Sequence, residues 1–453
     1  MAQSKRVTDL TQGTIWKNMI KFAIPLLLSS LVQQLYNTVD LIFAGNVVGS
    51  NASAAIGVSS LLITCLVGFF GGMSVGSGVV ISQYFGKRDF EGLKKAVHTA
   101  VGLALAGGIL MLVVGNIFAP IYLRLIRTPE NVLSDSIGYL RIYFLSFPVI
   151  LLYNMGAGIL RSLGNSKVTL KAQIVGGLTN VVMDALFLVL FENGVYAVAW
   201  ATLISQGVAA VMVLTQLMKL EPAYALRFRE ISLHGEIVRR VLSIGVSAGL
   251  QSLVITLSNV MVQYQINGLG ADAISAFVAY YKVELVIYQP IVALGQAMLT
   301  FSGQNKGARK YQRIHDGTKQ CVFLGICMTL LTSGFALCMG RILFRCFNKN
   351  VTVIELGIQI IRVSFPFYFL YVILQVLGDS VRGMGNVKHP MLIILMNICI
   401  IRTILLFTVA PQFPGVRGVA ACYPITWALT AICMTVLYLR TWKKMKSGEQ
   451  EVV

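Results

Sequence analysis

The chain has 453 residues, 56% of them hydrophobic and only 12% charged, with a mean hydropathy of +0.75. A soluble protein of this length would carry about 25% charged residues, so lipid must be the solvent for most of the chain. The net charge of +19 would suit a nucleic-acid binder, but its placement along the chain excludes that reading.

In chain order, twelve apolar runs are predicted as membrane-spanning helices: 20–44, 53–80, 95–119, 136–160, 168–191, 195–219, 241–267, 274–301, 318–345, 353–379, 389–411 and 416–440. Each exceeds the roughly 20 residues that a bilayer demands. The runs are continuous rather than alternating, which excludes a β-barrel. With the N-terminus placed in the cytoplasm, only six cationic residues fall outside: Arg124, Arg127, Arg341, Arg345, Lys349 and Arg417. Four more, Arg141, Lys282, Arg362 and Arg402, lie in or near spans, and all others fall in cytoplasmic segments. That bias is the positive-inside rule for a protein with both termini cytoplasmic. No cleavable leader is expected, because the first span carries no short apolar core followed by small residues. Seven of the eight cysteines lie beyond residue 320, mostly inside spans and without metal-ligand spacing; they read as packing residues.

The chain repeats itself at an offset of 221 residues. Gln83, Gly86 and Arg88 return as Gln304, Gly307 and Arg309. Arg161-Ser-Leu-Gly-Asn-Ser-Lys167 returns as Arg382-Gly-Met-Gly-Asn-Val-Lys388, and Gly194-Val195 as Gly415-Val416. Six spans per copy give both halves the same orientation. The expected fold is an all-α polytopic membrane protein, with twelve transmembrane helices in two pseudo-twofold-related six-helix bundles. Residues 1–219 form the N-terminal lobe, 220–240 a cytoplasmic linker, and 241–453 the C-terminal lobe with its basic tail.

Ionisable residues inside lipid are costly and mark function. Asp40 lies in the first span, sharing a helix face with Tyr36 and Asn37; Asp184 lies in the fifth, sharing one with Asn180. Counting about 1.5 Å per residue puts Asp40, Asp184 and Thr202 near one level of the N-terminal bundle. Two carboxylates in a dry site cannot both ionise cheaply, so the pair is suited to taking up and releasing a proton. The same oxygens, with Asn180 and Thr202, suit a sodium ion. Pro25 sits in the span that carries Asp40 and is expected to kink it or let it bend. Pro290 does likewise in the eighth span, and the glycines at 68–78 permit close helix approach. In the second half, Lys282 and Glu284 are two apart and need different partners, in what could be a second-lobe cavity. Asp379 stands near Arg382 as an expected ion pair, and a structural role is expected for Arg402. Arg141 and Arg362, repeat equivalents near helix ends, are expected to snorkel.

The opening Leu10-Thr-Gln-Gly13, Phe22-Ala-Ile-Pro25, and Gln-Gln-Leu-Tyr-Asn-Thr-Val-Asp40 resemble the DinF-like branch of the MATE transporters. So do Arg161–Lys167 and the run from Tyr281 to Ala297. The resemblance spans the chain. It implies export of cationic or amphipathic drugs in exchange for protons or sodium, by alternating access, in the cytoplasmic (inner) membrane. It carries the ion site onto Asp40, Asn180, Asp184 and Thr202, with Tyr36 and Asn154 around them. Other branches use acids in the seventh and tenth spans; the seventh here has none. Expected partners are the drugs and membrane lipid, with no nucleic acid and no organic cofactor, and a monomer suffices. A flippase for lipid-linked saccharides is the alternative, kept open by Lys282 and Arg402. An enzyme is not expected: His98, His315 and His389 fall near span ends and His234 in the linker, with no catalytic arrangement.

Overall fold

A computed structural model describes residues 8–43, 50–190 and 194–447, without side-chain placement at 37, 40–43, 50–53 and 189. The described residues are helical, with no strand among them. Among the described residues, eleven helices are long and apolar enough to cross a bilayer. A twelfth passage, Ser166–Leu190, is not among those eleven; it carries Lys171, Gln173, Asn180 and Asp184.

The chain forms two compact units, 1–9 with 24–249 and 10–23 with 250–453. Unit 1 contains most of α1 (Ile15–Phe43), then α2 (Ser50–Lys87), α3 (Phe90–Leu125), α4 (Glu130–Ser162), α5 (Ser166–Leu190) and α6 (Gly194–Met218). It also takes the start of α7 (Gly235–Asn267). Pro25 leaves α1 unbroken, and the border between units falls between Ala23 and Ile24. The expected close approach of the second span is present: a Cβ on Gly72 would lie 2.2 Å from the Gly249 nitrogen, and one on Gly76 2.8 Å from the Gly245 Cα.

Unit 2 continues with α8 (Ala271–Gly307), α9 (Tyr311–Cys338), α10 (Gly340–Phe347), α11 (Val351–Ser364), α12 (Tyr368–Gly383), α13 (Lys388–Ile394), α14 (Arg402–Thr408) and α15 (Val416–Lys446). Here the passages are interrupted where continuous helices are predicted. The ninth breaks at Met339 into the short α10. The tenth contains a 3-10 turn at Phe365–Phe367, around Pro366, which has no backbone donor. The eleventh contains a π-helical segment, Leu395–Ile401, between α13 and α14. Pro290 sits inside an unbroken α8.

The repeat is visible in the backbone of each unit. Arg88 and Arg309 both turn left-handed, at φ 59° and 55°. Gly164 and Gly385 do the same at 83° and 93°, a conformation that costs glycine nothing. Both helix ends close alike: the Asn165 N–H donates to the Leu160 carbonyl at 2.8 Å, and the Asn386 N–H to Val381 at 3.2 Å. Each unit also holds a polar strap. In unit 1 the Arg227 N–H donates to His98 Nε2 and the Thr99 hydroxyl to the Ser232 carbonyl. In unit 2 the Leu10 N–H donates to Gln304 Oε1, while Lys310 and Arg313 donate to the carbonyls of Thr11, Gln12 and Gly13.

Candidate functional site

The helix that carries Asn180 and Asp184 is seated by a glycine pair. A Cβ on Gly176 would lie 3.2 Å from the Ala209 Cβ of α6. A Cβ on Gly177 would lie 3.2 Å from the Tyr36 ring and 3.6 Å from Val32 of α1. α5 therefore packs between α1 and α6 with no side chain of its own at either contact. Short connections make successive helices alternate in direction, so α1 runs with α5 and α6 against it. Asn180 and Asp184 lie three and seven residues beyond Gly177, about 4.5 and 10 Å along the axis. Position 40 on α1, four residues beyond Tyr36, rises about 6 Å and falls between them. Thr202, before Ser205 and Ala209 on the reversed α6, reaches the same level.

The polar groups there are buried in different ways. Asn180 is 2% exposed and Asp184 fully buried. The Asn180 Oδ1 accepts no hydrogen bond among the described residues. The Thr202 hydroxyl donates to the Val198 carbonyl at 3.0 Å, which leaves its oxygen able to accept or ligate. Tyr36 is half-buried against Gly177. The side chain of Asp40 lies outside the described residues; its backbone belongs to α1.

Asn154, expected around the cluster from the resemblance, stands at a different level of the bundle. Its neighbour Tyr153 donates to Gln173 Oε1 at 2.5 Å, tying α4 to α5 seven residues before Asn180, about 10 Å away. Asn154 itself donates to the Ile150 carbonyl of its own helix, and its carbonyl accepts from Ser74.

In unit 2 the two neighbours separate as their spacing predicts. Lys282 is exposed, while Glu284 turns inward and accepts hydrogen bonds from the hydroxyls of Tyr368 and Tyr280. Around it the tyrosines interlock: Tyr281 and Tyr423 share a hydrogen bond of 3.2 Å, and Tyr368 stands edge-on to Trp427 at 4.6 Å. Sequence reasoning missed this aromatic group. Its signal was there in Tyr281, Glu284 and Tyr288, spaced three and four apart on one helix face. Arg402 is 4% exposed; its guanidinium lies 4.9 Å over the Tyr423 ring and donates to the Thr426 hydroxyl at 3.2 Å. Asp379 and Arg382 form the expected buried pair at 2.5 Å, steadied by Gln375 and Gln251. Arg141 and Arg362 are both exposed. No group of three or more His, Cys, Asp or Glu side chains able to hold a metal occurs among the described residues.

The family model for MatE matches residues 25–186 and again 248–408, one copy on each repeat. The chain belongs to the MatE family. Probable multidrug resistance protein YoeA of Bacillus subtilis (strain 168) is 27% identical to this MatE chain over 448 residues, 96% of each. Multidrug export protein MepA of Staphylococcus aureus (strain NCTC 8325 / PS 47) is 21% identical over 432 residues, 94% of each. Among solved structures, an outward-facing multidrug resistance MATE family transporter superposes with a TM-score of 0.92 at 20% identity, covering 99% of this chain and all of that one. A MOP superfamily transporter from Pyrococcus furiosus, with a binding pocket of reverse polarity, gives 0.89 at 20% identity, covering 98% of this chain and all of that one. At that identity the likeness establishes the MatE fold: a multi-pass helical membrane protein of two repeats.

Proposed function

We propose that this chain is a multidrug efflux antiporter, exporting cationic or amphipathic compounds in exchange for protons or sodium by alternating access. Both relatives quoted above are described as multidrug proteins, one of resistance and one of export. The observation that carries the coupling is the burial of Asn180 and Asp184 on one face of α5, level with position 40 and Thr202. A carboxylic acid out of water exchanges its charge for a proton or a bound cation, because an isolated buried charge is too costly to keep. Asp184 and Asp40 are the exchanging acids in this mechanism; Asn180 Oδ1 and the Thr202 hydroxyl complete an oxygen set that fits sodium as well as a proton. Drug and ion compete for the same negative charge. Binding of the ion from outside releases the drug there, and loss of the ion inside restores affinity for the next one. Both termini lie in the cytoplasm in this scheme, and the protein acts in the inner membrane as a monomer, without catalysis.

The test is ethidium efflux from proteoliposomes under an imposed proton or sodium gradient, applied separately. Efflux under one gradient, reduced to the level of empty vesicles in Asp40→Asn and Asp184→Asn, is the expected result and names the ion. Folded wild-type protein that moves dye under neither gradient would sink the antiport reading.

A further inference from the structure

Burial along α5 and along its repeat in unit 2 agrees into the π segment and slips by its end. Gln173, Gly176 and Gly177 are buried in unit 1, and so are Ile394, Asn397 and Ile398, each 221 residues later. Beyond that point the buried positions are Asn180 and Asp184 in unit 1 but Arg402 and Leu406 in unit 2, now 222 residues later. The cause is local. In the segment Leu395–Ile401 the Arg402 N–H reaches back five residues, to the Asn397 carbonyl. One extra residue per turn rotates everything after it by one position. Arg402 thereby faces inward where a regular helix would have presented Ile401, the counterpart of Asn180.

The neighbours of Arg402 complete the correspondence. It packs on Tyr423 and Thr426 of α15, the repeat equivalents of Thr202 and Ser205 on α6. We propose that Arg402 is a resident cation. Its guanidinium fills, in unit 2, the place that unit 1 leaves for an exchangeable one, and so confines ion exchange to unit 1. That last clause rests on the antiport reading; the occupancy does not. Leu406 stands where unit 1 has Asp184, so no acid faces the guanidinium at that position among the described residues. The aromatic face of Tyr423 holds it instead, with Glu284 beyond, reached through Tyr280, Tyr281 and Tyr423. A side chain tethered at this point cannot leave, unlike a proton or sodium.

Removing the side chain should therefore open a cation site. In purified full-length protein, Arg402→Ala is expected to lower the thermal midpoint, and millimolar methylguanidinium to restore most of the loss in a saturable way. Sodium chloride at matched ionic strength should not, and neither wild type nor Arg402→Lys should respond. Adding Tyr423→Leu should abolish the rescue. A monodisperse Arg402→Ala protein without saturable rescue overturns the proposal. A second measurement needs no unstable variant: equilibrium binding of tetraphenylphosphonium to wild type, Asp184→Asn and Glu284→Gln. Binding lost in Asp184→Asn and kept in Glu284→Gln is expected. Binding that survives in Asp184→Asn and disappears in Glu284→Gln would place an exchangeable site in unit 2 and refute the assignment. The rescue experiment reads no transport, so it stands or falls apart from the antiport reading.

Discussion

α5 and the eleventh passage occupy equivalent places in the two repeats, yet they solve the same packing problem in opposite ways. In unit 1 the pair Gly176–Gly177 removes two side chains, and α1 and α6 close against a regular helix. In unit 2 the same positions are Asn397 and Ile398, too large for such an approach, and the backbone widens into a π segment. The Ile398 carbonyl is satisfied there by the Ser258 hydroxyl at 2.6 Å, and Ser258 is the repeat equivalent of Asn37. A glycine pair keeps register and presents Asn180 and Asp184; a bulge shifts register and presents Arg402 and Leu406. The difference teaches that duplicated scaffolds can diverge in chemistry through one turn of backbone, without an insertion.

The sharpest way to break the unit 1 solution is Gly177→Leu. The new side chain would meet Tyr36 and Val32, and overpacking of this kind costs about 1–3 kcal/mol. The larger effect falls on geometry: α1 is pushed off α5, and position 40 leaves the level of Asn180 and Asp184. Gradient-driven efflux should fall as far as in Asp184→Asn, although every polar group is intact. Spin labels at Leu35 and Leu178, both exposed on these helices, should report a longer distance. An unchanged distance with normal coupling would show that the glycine is incidental.

The unit 2 solution depends on Ser258, which is 1% exposed. Ser258→Ala leaves the Ile398 carbonyl buried without its donor, at a cost of about 1 kcal/mol. We expect a small drop in thermal midpoint and faster amide exchange at Arg402, whose N–H belongs to the widened turn. Exchange at Asp184 in α5 should stay as it was. Equal acceleration in both helices would mean that the hydroxyl does not support the bulge specifically.

Much of this was open to a reader of the sequence, for reasons that also explain what was hidden. Apolar length marks a span, so the passages and the repeat could be placed, and four-residue spacing put Asn180 beside Asp184. The same spacing logic separated Lys282 from Glu284 and paired Asp379 with Arg382. The π segment left no such mark. It adds no residue, because the 221-residue offset holds both before it, at Arg161 and Arg382, and after it, at Gly194 and Gly415. The break at Met339 is equally silent. Pro366 could have announced the 3-10 turn, although Pro25 and Pro290, in unbroken helices, show how weak that signal is. The tyrosines around Glu284 come from α8, α12 and α15, and only the fold gathers them. Asn154 entered the site only through the resemblance; its own hydrogen bonds, to Ile150 and from Ser74, are not written in any spacing.

The two straps offer the gentlest test of divergence between the repeats. The strap of unit 2 is held by Lys310 and Arg313 donating to backbone carbonyls, acceptors that carry no carboxylate charge. The strap of unit 1 includes Glu230, whose carboxylate meets the Lys94 ammonium at 2.5 Å and the Arg227 guanidinium at 3.3 Å, with His98 at 3.9 Å. The hydrogen bond from Lys94, first, and the nearby positive charges hold the Glu230 carboxyl below the usual carboxylate range. A carboxylate lowered on folding stabilises above its unfolded pKa, near 4.3, and the contribution disappears as pH falls through the lower folded value. Glu230 should therefore contribute steadily above its unfolded pKa and be lost as pH falls through the lower folded value. Amide protection at Arg227, whose N–H sits on His98, should decline in that acid window, while protection at Leu10 persists. Glu230→Gln should remove the acid decline and lower protection slightly at neutral pH, where an exposed pair is worth little. A decline in Glu230→Gln as deep as in wild type would show that this carboxylate is not what loosens the strap in acid.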